Sequence, residues 1–358
     1  MLPYWLLLLL PALLAVGQVR PARRLDPLWP AAWWALFLVL VLVIGLRHQV
    51  GADWEAYLGY IQRGGTDSFV EALTSKDPAY GLVNWAVGQT GGNIYAVNTV
   101  CALIFTWGLL RFCRMQPRPW LALVVAVPYL VIVVAMGYTR QGTAIGLAMA
   151  GLVSLARGST LRFVLWVALA ASFHKSAVIL VPLAALAGSR DRLWTIAWVT
   201  LAGVALFVLM VQESLDSLTV NYIEREYESQ GAGVRVAMNA LPALLFLLLR
   251  RRFALLPNQQ LFWTWMAWGA LLFIALLALS PSSTAVDRLA LYWIPLQVVV
   301  WSRLPNALGQ PNGLNSGWVW MVVGYSALVE FVWLVFGSFS YTWLPYRFWL
   351  FELWLSAF

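Results

Sequence analysis

Charge is what this chain has least of. Of its 358 residues 11% are charged and 62% hydrophobic, with a mean hydropathy of +0.76. An ordinary soluble domain carries about 25% charged residues. There is too little charge here to coat a globule of this size in water, so lipid must solvate much of the surface. Cysteine is nearly absent, and Cys101 and Cys113 give neither a disulfide framework nor a metal spacing. The chain has no Walker loop, no GxGxxG after a strand, no GxSxG and no metal-ligand cluster. ATP-driven work and soluble-enzyme chemistry are therefore not expected of it, nor is a metal or a cofactor. The ten-residue alternating segments of a β-barrel are missing too. In their place stand unbroken runs such as "WALFLVLVLVIGL" (34–46). The class is an all-α polytopic membrane protein.

The net charge of +8 does not point to nucleic acid, because the arginines fall in small clusters between apolar spans. That pattern is an orientation signal. The 22 tryptophans suit anchoring at membrane interfaces. Candidate spans lie near 3–18, 29–46, 93–110, 119–137, 140–156, 163–188, 193–211, 236–250, 260–280, 287–303, 316–337 and 343–358. The first, "MLPYWLLLLLPALLAVG", lacks a basic n-region and is read as a retained helix, not a cleaved signal.

Placing Arg20, Arg23 and Arg24 in the cytoplasm and alternating sends Arg111/Arg114/Arg118, Arg157/Arg162, Arg190/Arg192, Arg250/Arg251/Arg252 and Arg303 to the same side. This holds only if 163–188 crosses twice, as two short half-helices turning near His174. A single crossing would put every later arginine cluster outside, against the positive-inside rule. The expectation is one transmembrane domain over 1–358, with about 12 or more helices including a broken, re-entrant element. The external side then collects Asp53, Glu55, Asp67, Glu71, Asp77, Glu213, Asp216, Glu224, Glu226 and Glu228, together with Arg140, His174, Lys175, Arg288 and Arg347. Its long loops are 47–92 and 212–235; loops of such length are commonly functional. Ionisable residues at membrane depth are expensive and usually face a bundle interior or a wet cavity. A cavity opening outward, lined by cations and carboxylates, follows.

Each motif has a bland reading beside the functional one. "GADWEAYLGY" (51–60) offers Asp53 as a general base and Glu55 and Tyr57 to sugar hydroxyls, or merely a helix start whose carboxylates favour the dipole. "YTRQGTAIGLAMAG" (138–151) puts Tyr138 and Arg140 at the mouth of a helix of small residues. A guanidinium fork suits phosphate, whereas a snorkelling interfacial arginine is the plainer account. "SFHKS" (172–176) supplies His174 and Lys175, as base and phosphate ligand or as the cap of a broken helix. "PSSTAVDRLALYW" (281–293) carries Asp287, Arg288 and Tyr292, or an interfacial Asp–Arg pair. "YTWLPYRFWLF" (341–351), with Tyr346 and Arg347, reads more readily as an aromatic belt.

Taken in order, "GADWEAYLGY", "DPAYGLVNW" (77–85), "YTRQGTAIGLAM", "SFHKSAVI", "DRLALYWIPL" (287–296) and "WLPYRFWL" resemble the EpsG family of bacterial exopolysaccharide polymerases, related to Wzy-type O-antigen polymerases. The six extend from about residue 51 to 350; each alone is weak, and their order and spacing make the match specific. The resemblance implies a GT-C-like glycosyltransferase acting on undecaprenyl-pyrophosphate-linked oligosaccharides at the periplasmic face of the bacterial inner membrane. It implies no sugar nucleotide, since the departing pyrophosphate supplies the energy, and a chain-length-regulating co-polymerase as partner. In that frame Asp53, ahead of His174, is the base. Arg140 and Arg288 hold the pyrophosphate, with Lys175 and Arg347 as weaker candidates. Glu55, Tyr57, Tyr80, Tyr138, Tyr292 and Tyr346 are candidates for the glycan. Other lipid-linked glycosyl transfer remains open, such as ligation to lipid A core or use of a polyprenyl-phosphate sugar. So does a flippase or transporter, although no internal repeat is found and the charges map to one face, not the midplane.

Overall fold

The computed structural model describes residues 1–18, 29–186, 231–280, 283–310 and 313–355, with positions 197, 200 and 201. The arginines of 20–24 and 190–192 and the acidic residues of 213–228 lie outside the described residues, as does nearly all of the expected span 193–211. The described chain is helical throughout, its only extended pairing being the bridge between Arg47 and Phe348. Four helices are long and apolar enough to cross a bilayer: Ile94–Arg114, Ala232–Arg252, Pro257–Leu279 and Ser316–Phe336. Shorter apolar helices run over Leu2–Gly17, Ala31–Gly45, Pro119–Ala135 and Thr160–Phe173. Each long run is rich in Leu, Val, Ala and Phe, and begins or ends at Asn, Gly or Pro: Asn93 caps helix 94–114 with its side chain, and Pro257 opens helix 257–279.

Helix Thr139–Ala156 is the axis of the bundle. Nearly all of its residues are buried, walled from lipid by helices 94–114 and 160–173. That placement explains its composition, because a helix enclosed by protein needs small residues for close approach more than it needs bulk apolar surface. Gly146 lies against the backbone of Phe105, 2.6 Å from where its own Cβ would sit, and Gly108 is pressed onto the Gly146 carbonyl. The preceding helix widens to π-helical turns over Val127–Ala135, beginning at Pro128, which has no N–H to give. There the Ile132 carbonyl accepts from Trp343 Nε1 (2.8 Å).

Successive helices run alternately between two polar ends. At one end Arg118 donates to Asn306 Oδ1 (2.9 Å), Gln18 O (3.3 Å) and Gly313 O (2.7 Å). There too Arg303 donates to Gln116 (3.1 Å), Gln259 to Ala156 O (3.3 Å), and Arg111 lies within electrostatic reach of Arg157. The expected arginine clusters within the described residues do gather at this end. At the other stand Arg47, Asp77, Arg140, His174, Arg235 and Asp287. Helix 160–173 leaves from the first end and stops at His174, whose backbone is extended (φ −157°, ψ 113°). A 3-10 segment, Lys175–Leu180, and a helix, Val181–Leu186, follow. Helix 181–186 touches helix 160–173. A straight 3-10 continuation would carry them about 14 Å apart, so the chain turns back at "SFHKS", as expected. Arg235 stands at the same end as His174.

Two expectations differ from what is observed. Residues 47–92, read as a loop, fold into helices Trp54–Thr66, Phe69–Leu73 and Pro78–Gln89. The first and last cross at contacts only glycine permits: a Cβ on Gly64 would lie 2.5 Å from the Asn84 carbonyl, and one on Gly88 2.5 Å from the Gly65 nitrogen. The segment 343–358 is helical over Trp349–Leu355 only among its described residues, about 10 Å of rise and too short to cross. Its aromatics are not a free belt. Tyr346 donates to Val43 O (2.8 Å), Tyr4 to Trp343 O (2.7 Å) and the His48 amide to Arg347 O (3.0 Å). The motif clamps the ends of the first two helices.

Candidate functional site

The helical hairpin 54–89 places Tyr57, Tyr60 and Tyr80 in mutual contact, ring centroids 5.7–6.3 Å apart. Arg140, on the first turn of the axial helix, projects into that aromatic wall. Its guanidinium lies 4.9 Å from the Tyr60 ring centroid and 5.9 Å from that of Tyr80. Its Nη1 donates to Asp77 Oδ2 (2.5 Å), and the two side chains are 21% and 6% exposed. Arg140 is thus no snorkelling interfacial arginine. Asp77 opens helix 78–89 immediately before Pro78, which fixes the turn that aims the carboxylate inward.

A second charged pair stands nearby. Arg235 Nε and Nη2 donate to the two oxygens of Asp287 (2.5 and 2.7 Å), the bidentate fork that arginine favours. The expected pairing of Asp287 with its neighbour Arg288 is therefore not what forms. Successive helical positions point about 100° apart, so Asp287 turns into the bundle and Arg288 out to the exposed side. The Arg288 carbonyl accepts from Gln141 Nε2 (2.5 Å), which ties Arg288 to the turn that bears Arg140. Asn239 donates to Ala290 O (2.9 Å) and accepts from Gln297 (2.7 Å), bracing the chain where it changes to 3-10 at Leu291–Trp293. Within that 3-10 turn, Tyr292 Oη lies 3.4 Å from His174 Nδ1 and within electrostatic reach of Asp77. The two helix breaks meet at the site.

Asp53 lies within electrostatic reach of Arg288 and Arg140. It is the N-cap residue of helix 54–66, yet its side chain makes no capping hydrogen bond. The bland reading, a helix start whose carboxylates favour the dipole, fits this position equally well, with Glu55 in the same first turn. Burial raises its pKa above the usual aspartate value, against the opposing pull of Arg288 and Arg140. Tyr138 is within electrostatic reach of Arg235, Asp287, Asp53 and Arg288. The Tyr57 phenol is pushed up to about 12, by burial first and by Asp53 second, and burial raises that of Tyr80 as well. Both remain hydroxyl donors at neutral pH.

Asp53, Tyr57, Tyr80, Tyr138, Arg140, His174, Arg288 and Tyr292 therefore come together. Lys175 follows His174 in the 3-10 segment, half-buried. Glu55 is exposed, on the face of its helix away from Tyr57. Tyr346 and Arg347 belong to the terminal clamp, where Arg347 Nη1 donates to Gln49 Oε1 (2.8 Å). Sequence reasoning did not place Tyr60, Asp77, Gln141, Arg235 or Arg47 here. Asp77 had a signal in its aspartate–proline helix start. Arg47 had one as well, an arginine directly ending an apolar run.

The described chain is thus an all-helical, membrane-type bundle with a cluster of arginines, carboxylates and tyrosines at one polar end. The chain belongs to the EpsG family, whose model matches residues 31–348 and so nearly all of it. EpsG is a Wzy-like polymerase family, which makes this a membrane, polysaccharide-polymerase-like protein of glycosyltransferase type. No curated protein and no solved structure matches it.

Proposed function

We propose that the protein polymerises oligosaccharide repeat units carried on undecaprenyl pyrophosphate, at the periplasmic face of the bacterial inner membrane. The observation that carries this reading is the position of Asp53, an uncapped carboxylate within electrostatic reach of Arg288 and Arg140 at the bundle end away from the arginine clusters. In the reaction an acceptor hydroxyl oxygen forms a bond to the anomeric carbon of the donor glycan. The bond from that carbon to the pyrophosphate oxygen breaks, and the hydroxyl proton passes to Asp53. Negative charge grows on the leaving pyrophosphate, where Arg140, mostly buried, and Arg288, on the exposed side, stabilise it. Arg140 is half-neutralised by Asp77, so the arriving pyrophosphate competes with that carboxylate. Tyr57, Tyr80, Tyr138 and Tyr292 offer hydroxyls and ring faces to the sugars. His174 is the alternative base, and Lys175 and Arg347 are further anion ligands. We read the whole as one GT-C-like transmembrane unit of twelve or more crossings that needs no metal or nucleotide cofactor and works beside a chain-length-regulating co-polymerase.

The test is reconstitution in nanodiscs with synthetic undecaprenyl-pyrophosphate oligosaccharide, products resolved by gel. Wild type is expected to give a ladder that Arg140→Ala and Arg288→Ala abolish. Bound substrate that is never elongated would reject polymerisation in favour of ligation to another acceptor, or of transport.

A further inference from the structure

Arg47 is fully buried, at 0% exposure, and no carboxylate pairs with it among the described residues. Its Nη1 donates to Ile44 O (2.6 Å), and its Nη2 to Thr139 Oγ1 (2.7 Å) and, at longer range, Asn98 Oδ1 (3.4 Å). Its Nε has no partner. All three acceptors are neutral. A glutamine in the same place could satisfy much of this set without the cost of enclosing an unpaired charge. Position suggests why the charge is there. Thr139 is the residue before Arg140, and it lies beside the Tyr57 phenol. Tyr57 and Tyr80, which pack together beside Arg140, lie within electrostatic reach of Arg47. The guanidinium forms the floor of the site.

We propose that Arg47 is a positioning residue that fixes the Thr139–Arg140 turn and sets a standing positive potential beneath the site, so that the more highly charged of two phosphate ligands is preferred. It does not touch substrate. The inference rests on the reading of this site as one for a lipid-linked pyrophosphate. At an effective dielectric of about 20 the interaction of one buried charge with each added ligand charge, roughly 10 Å away, changes affinity by about tenfold.

The experiment measures binding of farnesyl pyrophosphate and farnesyl monophosphate to the full chain in nanodiscs, with empty nanodiscs subtracted. Thermal unfolding and monodisperse elution control for folding. Wild type is expected to prefer the pyrophosphate. Arg47→Met should weaken the pyrophosphate about tenfold more than the monophosphate, lowering the preference by that factor. Arg47→Lys, which keeps the charge but not the fork, should lose overall affinity while retaining the preference, and it serves if the methionine variant does not fold. Equal weakening of both probes in Arg47→Met, with the preference unchanged, would reduce Arg47 to scaffolding and overturn the proposal. Wild-type binding of both probes by Arg47→Met would overturn it outright while leaving the functional reading intact. A wild type that binds neither probe overturns the functional reading, and this one with it.

Discussion

Asp53 can take a proton only while ionised. Its raised pKa means that the ionised fraction is lost on acidification at a higher pH than for an exposed aspartate, about 3.9. Polymerisation rates measured from pH 4 to 8 should therefore fall on the acid side, with an inflection above that value. In Asp53→Asn turnover should drop by about 10²–10⁴-fold, the usual worth of a general base, and the acid limb should vanish. Wild-type turnover in that variant would pass the role to His174. The Arg140–Asp77 pair predicts a different pattern. Asp77→Leu leaves a mostly buried guanidinium unpaired and should cost on the order of 2–3 kcal/mol in unfolding free energy, less than for a fully enclosed pair. Arg140→Met with Asp77→Leu should recover a good part of that, read as the coupling in a double-mutant cycle. At this scale the sequence announced Asp53, Arg140 and His174, because an ionisable residue beside an apolar run is conspicuous. Arg235 was not legible, since its partner Asp287 lies 52 positions away and nothing local marks the pairing.

Elements place these residues by being interrupted. Helix 160–173 stops at His174, the helix from Ser283 changes to 3-10 at Leu291, and the π-helical turns end just before Tyr138. Irregular backbone of this kind is tolerated at membrane depth only where protein or a cavity surrounds it. The break at His174 was legible because charge topology demanded a reversal there. The π-helical turns and the hairpin 54–89 were not, since Pro128 reads equally well as a kink, and a Gly-, Trp- and Tyr-rich stretch reads as a loop until its glycines are seen to be crossing points. Close packing along the axial helix yields a prediction at this scale. In Gly108→Ala the new methyl group would overlap the Gly146 carbonyl, so the two helices must separate. The expected cost is about 1–3 kcal/mol, with a lowered unfolding temperature and reduced activity even though no site residue is changed. Gly59→Ala, where a Cβ meets nothing within 4 Å, is the control and should leave both unchanged.

The whole molecule is organised by its two polar ends, and the separation of function between them is electrostatic. Arginines 111, 114, 118, 157 and 303 share one end with Gln116 and Gln259, while the paired arginines 140 and 235 share the other with the acidic groups that neutralise them. Arginines gathered at one end of a bundle are an orientation signal in membrane proteins, whereas arginines 140 and 235 at the other end are neutralised by Asp77 and Asp287. Glu55 belongs to the site end and Arg252 to the opposite one, both exposed. The path between them includes the reversal at His174. Without it Arg252 would fall on the same side as Glu55. Cysteines placed there, Glu55→Cys and Arg252→Cys, should react from opposite sides with a membrane-impermeant maleimide. Glu55→Cys should label in intact spheroplasts and Arg252→Cys only after permeabilisation. Native Cys101 and Cys113 are buried and give little background. Labelling of both from outside would undo the re-entrant turn and, with it, the grouping of His174 with Arg140. Labelling of Arg252→Cys alone from outside would keep the fold but turn it over, placing the site in the cytoplasm.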